Sequence, residues 1–151
     1  MQFALPAVIG MLKTMINEQL SMNKELPLVV NACDPANPYG VGVEVTGGKF
    51  LDGLRISRQS LNYFVFDDGT PMLWIENLGA RISTVAEASP EAIRDGLVQF
   101  ILHLRSSHPN ENEIIVEYCD GIRPTESPLA ESLRAIGFYR DRAQTMRYEL
   151  R

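Results

Sequence analysis

The chain contains few of the residue types from which recognisable sites are built. Its 151 residues include only two cysteines and two histidines. Cys33 and Cys119 lie far apart, without a Cys-x-x-Cys spacing, so we expect two reduced structural thiols in an intracellular, cytoplasmic protein. No apolar run approaches the roughly 20 residues that span a bilayer, and the N-terminus lacks the basic region of a signal peptide. We therefore expect no membrane partner.

Motifs for nucleotide binding and hydrolysis are also missing. The sequence has no G-x-x-x-x-G-K-[ST] phosphate loop, no G-x-G-x-x-G after a strand, no G-x-S-x-G elbow and no H-E-x-x-H pair. His103 falls late in a predicted helix and His108 in the loop after it, where neither indicates a metal site or a catalytic triad. We expect no motor, no metal and no cofactor in this chain.

Charge is acidic overall but unevenly distributed. A net charge of −5 argues against phosphate binding over the whole surface. Acids outnumber bases nine to three in residues 87–131, whereas residues 132–151 hold five arginines against Asp141 and Glu149. These arginines form either an ordinary solvated face or a basic patch that contacts nucleic-acid phosphates. The nucleic-acid-binding candidates are Arg134, Arg140, Arg142, Arg147 and Arg151.

The first half of the chain combines a helix with strands. Apolar spacing in "LPAVIGMLKTMINEQL" predicts a helix, and "PLVVNA" and the glycine-weakened "YGVGVEV" are typical of short strands. An antiparallel meander follows, made of "LNYFVF", an Asp-Gly turn in "DDGT", the return strand "PMLWIE" and a third strand in "RISTV". The meander is the most regular part of the sequence.

The second half predicts two amphipathic helices with similar starts. "SPEAIRDGLVQFILHLR" begins with Ser89 as N-cap and Pro90 at the first helical position, and "SPLAESLRAIG" repeats this with Ser127 and Pro128 before Gly137 ends it. "NEIIVEYC" between them is predicted as one strand, and "FYRD" and "TMRYEL" as a final pair. Together these elements predict an α+β fold, an antiparallel β-meander or small sheet packed with two or three amphipathic helices, with residues 1–151 as a single domain.

One loop, "DPANPYG", is more strongly specified than a surface loop needs to be. Its two prolines, Asp and Asn impose a bent, non-helical path. We interpret Asp34 as a cap that bonds backbone N–H groups, with a catalytic or ligand role as the alternative, and we expect Tyr39 to anchor the loop by packing beneath it. The residues assigned to this structural loop are Asp34, Pro35, Asn37, Pro38, Tyr39 and Gly40.

Four sequence blocks span nearly the whole chain. In order they are "QFALP", "DPANPYG", the hairpin "FDDGTPMLWIENLGARISTV" and "DGIRPTESPLAESLRAIGF". In content and order they resemble the C-terminal region of the Lhr (large helicase-related) family of bacterial ATP-dependent superfamily 2 DNA helicases. One block departs from the family, which reads E-R-G-G-R after the return strand. Here "ENLGA" keeps one glycine, and the arginine is displaced to Arg81.

The resemblance implies a role for the chain within a larger machine. The parent protein would hydrolyse ATP with Mg²⁺ and translocate on DNA through N-terminal motor domains whose motifs this chain lacks. The chain would then be a C-terminal fragment of a longer polypeptide and an accessory domain in DNA repair, without catalysis of its own. Its expected partners are the preceding domains of the helicase, DNA, or a second copy of itself.

Three other interpretations stay open. The chain could be part of a DNA glycosylase module, in which Asp34 or Glu149 would stabilise an oxocarbenium-like state and activate water. The order of elements also resembles the second half of an acetyltransferase-like (GNAT) fold, but "TVAEASPEAIRDG" lacks the glycine-rich acetyl-CoA loop, so no activity is expected. Finally, an acidic helical face could dock on the basic C-terminal strands of a neighbour and make the chain a protein–protein interaction or oligomerisation domain.

Overall fold

The computed structural model describes residues 25–37, 39 and 56–150 of the chain. The strands of this part are β1 (Leu28–Asn31), β2 (Tyr63–Asp67), β3 (Thr70–Glu76), β4 (Arg81–Thr84), β5 (Glu113–Val116), β6 (Tyr118–Cys119), β7 (Tyr139–Arg140) and β8 (Met146–Glu149). The helices are α1 (Pro90–Ser107) and α2 (Ala130–Ala135), with a 3₁₀ turn at Asn77–Gly79. The predicted N-terminal helix, the "YGVGVEV" strand, Pro38, Gly40 and Arg151 lie outside the described residues.

The described strands form two sheets, and the α+β prediction is confirmed. The first sheet has the order β1-β2-β3-β4-β6, and the second has the order β5-β8-β7. All pairings are antiparallel except that of β4 with β6. The predicted meander is β2-β3-β4, because each of these strands is hydrogen-bonded to the next one along the chain.

The turn between β2 and β3 confirms the Asp-Gly signal. Asp67 pairs with Thr70, so Asp68 and Gly69 alone make the connection. Both have positive φ, 46° and 74°. A two-residue hairpin of type I′ requires positive φ at both central positions, which Asp and Gly tolerate better than most residues.

The predicted strand "NEIIVEYC" is divided between the two sheets, which differs from the expectation of one continuous strand. β5 pairs with β8, whereas β6 pairs with β4. The break lies at Glu117, where the N–H groups of Glu117 and Tyr118 both donate to the carbonyl oxygen of Ala80, at 2.8 and 3.2 Å. In a regular strand, successive N–H groups point to opposite sides. Because two successive N–H groups donate to the same oxygen here, the strand is interrupted, and the chain passes from the second sheet to the first.

Helix α1 begins where predicted and continues to Ser107, two residues beyond the predicted end at Arg105, whereas α2 is shorter than expected. Ser89 caps α1 by accepting the N–H of Ala92 at 3.2 Å. At the second helix, the Ser127 hydroxyl accepts the N–H of Leu129 at 3.1 Å, and regular helix begins only at Ala130. Ser127 and Pro128 therefore form a turn before α2 rather than its cap and first residue. Neither described helix combines the length and the apolar character needed to cross a bilayer.

Two buried clusters stabilise the sheets. The larger one lies against α1 and takes residues from both sheets, among them Val65, Leu73, Ile114 and Met146. The smaller one lies on the opposite face of the first sheet, where Phe64 and Trp74 are paired across β2 and β3. Since the larger cluster includes residues of β2, β3, β5 and β8, the two sheets share one apolar core.

Candidate functional site

The "DPANPYG" loop belongs to a run of three successive Asx turns. Asn31, Asp34 and Asn37 are spaced by three residues, and each side-chain oxygen accepts the N–H two positions further on, at 2.8, 2.8 and 3.1 Å respectively. Asp34 and Asn37 also donate their own N–H to the carbonyl oxygen of the preceding member, at 3.0 and 2.9 Å. The interpretation of Asp34 as a turn cap is confirmed. We call residues 31–37 with Tyr39 the Asx corner.

Arg58, which lies more than 20 residues later in the sequence, stabilises the Asx corner by direct hydrogen bonds. Its Nε donates to the carbonyl oxygen of Ala32 at 3.1 Å, and its Nη2 donates to those of Cys33 and Asp34 at 3.4 and 3.1 Å. Asn37, which is buried, adds a bond from its Nδ2 to the same Ala32 oxygen at 3.3 Å. Sequence reasoning missed Arg58, because no local pattern links it to a loop 24 residues earlier.

Tyr39 anchors the Asx corner to the smaller apolar cluster. Its ring centroid lies 5.3 Å from that of Phe64 and 5.9 Å from that of Phe66. Both phenylalanines project from β2 on the face opposite α1. The expected packing of Tyr39 beneath the loop is confirmed, and the corner is thereby attached to the sheet by apolar contacts as well as by hydrogen bonds.

A cavity of about 580 Å³ opens between the Asx corner and the outer strand β1. Its apolar lining includes Leu26, Leu28, Val30, Tyr39 and Phe66, and its rim carries the carboxylates of Glu25, Asp34 and Asp68. We call this cavity the β1 groove. Its volume lies in the range of small-ligand sites. Three carboxylates on one rim repel a phosphodiester, so the electrostatics of the β1 groove disfavour a nucleic-acid strand.

The two carboxylates considered for glycosylase chemistry lie on different sheets. Asp34 follows β1, at the outer edge of the first sheet, and one of its oxygens is engaged by the Ala36 N–H. Glu149 is at the end of β8, the central strand of the second sheet, opposite Glu113. Asp34 and Glu149 are therefore separate candidates, one in the loop after β1 and the other across the second sheet from Glu113.

Three of the candidate arginines lie in the segment from α2 to the turn after β7, and β7 is the outer strand of the second sheet. Arg134 is in the last turn of α2, Arg140 is on β7, and Arg142 is in the turn after β7. All three are exposed, and none forms an ion pair with a described carboxylate. Tyr139 precedes Arg140 on β7, so its side chain projects from the opposite face of the strand, and it is 46% exposed. We call these four residues the basic edge.

Arg147 is not counted in the basic edge, because two carboxylates neutralise its charge. Its Nη1 is 3.0 Å from Glu113 Oε2, and its Nη2 is 3.0 Å from Asp141 Oδ2. The other oxygen of Asp141 accepts the N–H of Arg142 at 2.7 Å. Because the Asp141 carboxylate contacts Arg147 directly, its negative charge compensates the positive charge of Arg147 more than the charges of the Arg140 and Arg142 side chains.

Three further arginines are held against aromatic rings. Arg81 and Arg123 lie over the Tyr118 ring at 5.8 and 4.8 Å from its centroid. Arg105 lies 5.9 Å from the Tyr148 centroid and donates to its hydroxyl at 3.2 Å. Arg81 therefore packs against a ring of β6, whereas the arginines of the basic edge have no ion pair with a described carboxylate.

Both histidines contact Tyr63 near the end of α1. The Tyr63 hydroxyl and His108 Nε2 are 2.6 Å apart, and the His103 ring meets Tyr63 edge-on at 5.3 Å. Burial raises the pKa of Tyr63, and burial with the charge of His108 lowers the pKa of His103. Within the described ranges, no group of three His, Cys, Asp or Glu side chains is arranged to hold a metal ion. The histidines thus join the end of α1 to β2.

We expect the two cysteines to differ sharply in reactivity. Cys33 is exposed, whereas Cys119 is buried. Burial raises the pKa of the Cys119 thiol to about 12, and the neighbouring Asp120 carboxylate adds to the shift. Because the thiolate is the reactive form, the native chain should release one equivalent of thionitrobenzoate from Ellman's reagent quickly and the second only in denaturant. Fast release of both, or any fast release from a Cys33→Ser variant, would contradict this expectation.

Two surfaces therefore stand out, at the outer strands of the two sheets. The β1 groove is apolar with an acidic rim, and the basic edge at β7 carries three exposed arginines beside an exposed tyrosine. Comparison of the chain with protein-family models, with curated proteins and with solved structures found no match.

Proposed function

We propose that the chain is the accessory C-terminal domain of an Lhr-like ATP-dependent DNA helicase, acting in the cytoplasm in DNA repair, and that it holds single-stranded nucleic acid along the basic edge. The ordered series of family-like blocks supports the first part. ATP and Mg²⁺ would belong to the motor of the parent protein, and the preceding domains would be its partners. The geometry of β7 supports the second part.

The observation that carries the proposal is the free charge of the basic edge. Asp141 is the nearest carboxylate along the chain to Arg140 and Arg142, and it is engaged by Arg147 and by a backbone N–H. Glu131 lies three residues before Arg134, and the two form no ion pair in the described part of the chain. Arg134, Arg140 and Arg142 can therefore neutralise phosphates. Tyr139 projects from the other face of β7 than Arg140, and its exposed ring can stack with a base of a strand that passes over this edge. Proteins that bind single strands without sequence preference combine cations along the backbone with aromatic rings under the bases.

Removal of the three free arginines should weaken binding and flatten its salt dependence. We expect an Arg134→Gln/Arg140→Gln/Arg142→Gln variant to bind labelled oligothymidine about 10–100-fold more weakly at low salt, with the salt slope reduced by about 2, since each contact to a single strand contributes about 0.7. Fluorescence anisotropy over a series of salt concentrations measures both quantities.

The matched control removes the same charge elsewhere. An Arg81→Gln/Arg105→Gln/Arg123→Gln variant also loses three positive charges, but from arginines held on tyrosine rings. We expect it to keep most of the affinity. Equal loss in both variants would mean that net charge alone attracts the strand, and the proposed edge would be wrong. Absence of binding by the unmodified chain, or tighter binding of duplex than of single strand, would also count against it.

We further propose that the architecture is acetyltransferase-like without acetyl transfer. The support is the parallel pairing of β4 with β6 after α1, together with β8 lying between β5 and β7. The junction before α1 contains no glycine, so it offers no loop that could approach the pyrophosphate of acetyl-CoA. Calorimetry with acetyl-CoA should show no binding, and a measurable affinity would make the domain a candidate enzyme.

A further inference from the structure

We propose that the β1 groove binds an extended segment of a partner protein that places aliphatic side chains over the groove and basic side chains at its two ends. The groove and the basic edge lie on the outer strands of different sheets, β1 and β7. The proposal is therefore independent of nucleic-acid binding. It rests on the backbone edge of β1, on the exposed leucines beside it and on the charge of the rim.

The backbone of β1 can accept another strand. Among the described strands β1 is the outermost of its sheet and is paired only with β2. Ala32 donates its N–H to the carbonyl oxygen of Asn62 at 2.8 Å, and hydrogen bonding alternates along an antiparallel pair. The N–H and C=O of Val29 therefore point away from β2. An extended peptide can form hydrogen bonds with such groups and add a strand to the sheet.

The groove beside this edge offers apolar surface. Leu26 is 69% exposed and Leu28 is 62% exposed, which makes them the most exposed of the large hydrophobic side chains in the described part of the chain. Leu28 pairs with Phe66 across β2, and Val30 lies on the same face two residues later. A strand added to β1 would place every second side chain over this face, because side chains alternate along a strand. Aliphatic residues at those positions would cover the leucines.

The rim determines the charge of the partner. Glu25, Asp34 and Asp68 line the groove, and no lysine or arginine is present in its described lining. Arg58 lies nearby, but its guanidinium donates to backbone carbonyl oxygens of the Asx corner. A rim that carries only negative charges favours lysine or arginine in the partner and repels a nucleic acid. Glu25 precedes β1 and Asp34 follows it. The complement is therefore an extended peptide with aliphatic side chains on the face over the groove and basic side chains near its ends.

A labelled synthetic peptide tests the proposal with the full 151-residue chain. The probe has about six residues, with leucine or valine at alternate inner positions and lysine at both ends, which matches a typical strand length. Fluorescence anisotropy should detect its binding, and a peptide with glutamate in place of lysine should bind at least about tenfold more weakly. We expect Leu28→Lys and Glu25→Lys each to weaken binding of the lysine peptide about tenfold.

The matched control is Leu102→Lys on α1, where the leucine is 48% exposed and outside the groove. This variant should bind the lysine peptide as the unmodified chain does. Absence of binding, equal binding of the glutamate peptide, or the same loss with Leu102→Lys would overturn the proposal. So would loss of oligothymidine binding, or of self-association in sedimentation, on Leu28→Lys, because either would assign the groove to another occupant. Circular dichroism checks that the variants remain folded.

Discussion

Replacement of Gly79 by alanine should lower the free energy of unfolding by about 3 kcal/mol. A Cβ at this position would lie 2.6 Å from Ile114 Cγ2, well inside van der Waals contact. Ile114 is buried in the larger cluster and β-branched, so it has little freedom to move away. In addition, Gly79 has a φ of +106°, which L-residues rarely adopt. Steric overpacking and backbone strain therefore both contribute to the expected loss of stability at Gly79.

Gly69→Ala separates the two effects. Gly69 also has positive φ, +74°, but a Cβ added to it would meet no atom within 4 Å. Backbone strain alone should cost about 1 kcal/mol there. Urea denaturation followed by circular dichroism gives both values. Equal losses for the two variants would show that the approach of Gly79 to Ile114 does not limit substitution.

Loss of the Arg58 guanidinium is the second large expected effect. Arg58→Met should lower the free energy of unfolding by about 2 kcal/mol, because the three carbonyl oxygens of Ala32, Cys33 and Asp34 lose a charged donor. Arg58→Lys should restore little of this stability, since an ammonium group cannot reproduce the planar fork of donors. Chemical denaturation of the three proteins measures the difference.

Arg94→Met is the control for the loss of a surface arginine. Arg94 forms an exposed ion pair with Glu91 at 3.4 Å, so its replacement should cost less than about 0.5 kcal/mol. If Arg58→Met cost no more than this, the Asx corner would be stable without its distant support. Its three side-chain turns would then suffice to hold the loop.

The local elements were largely predictable, because their signals lie within a few residues. The Asp-Gly turn follows from two residues that accept positive φ, and the start of α1 follows from a serine cap before a proline. Asp34 could be interpreted as a turn cap for the same reason, since its partner is only two residues away. The predicted start of α2 was wrong, because the Ser-Pro pair that is typical of a helix start also favours a tight turn. Ser127 makes a tight turn with Leu129, and this turn delays the start of α2.

The candidate sites were predictable only in part. The C-terminal arginines were recognised from composition, but composition could not separate Arg147, which binds two carboxylates, from Arg140, which is exposed. Glu113 reaches Arg147 because β5 pairs with β8, and this pairing joins residues more than 30 positions apart. The β1 groove had no signature in the sequence, because it forms where β1 and the turn after β2 meet.

From the order of its residues alone, the chain determines an α+β fold, an antiparallel meander, a capped helix and a turn-rich loop. Each of these depends on propensities and hydrogen bonds between near neighbours in sequence. The tertiary structure alone decides which charges remain free, where the strand after α1 divides, and that Arg58 supports the Asx corner. These features depend on contacts between distant segments, whose partners are chosen by packing of the whole core rather than by any local pattern.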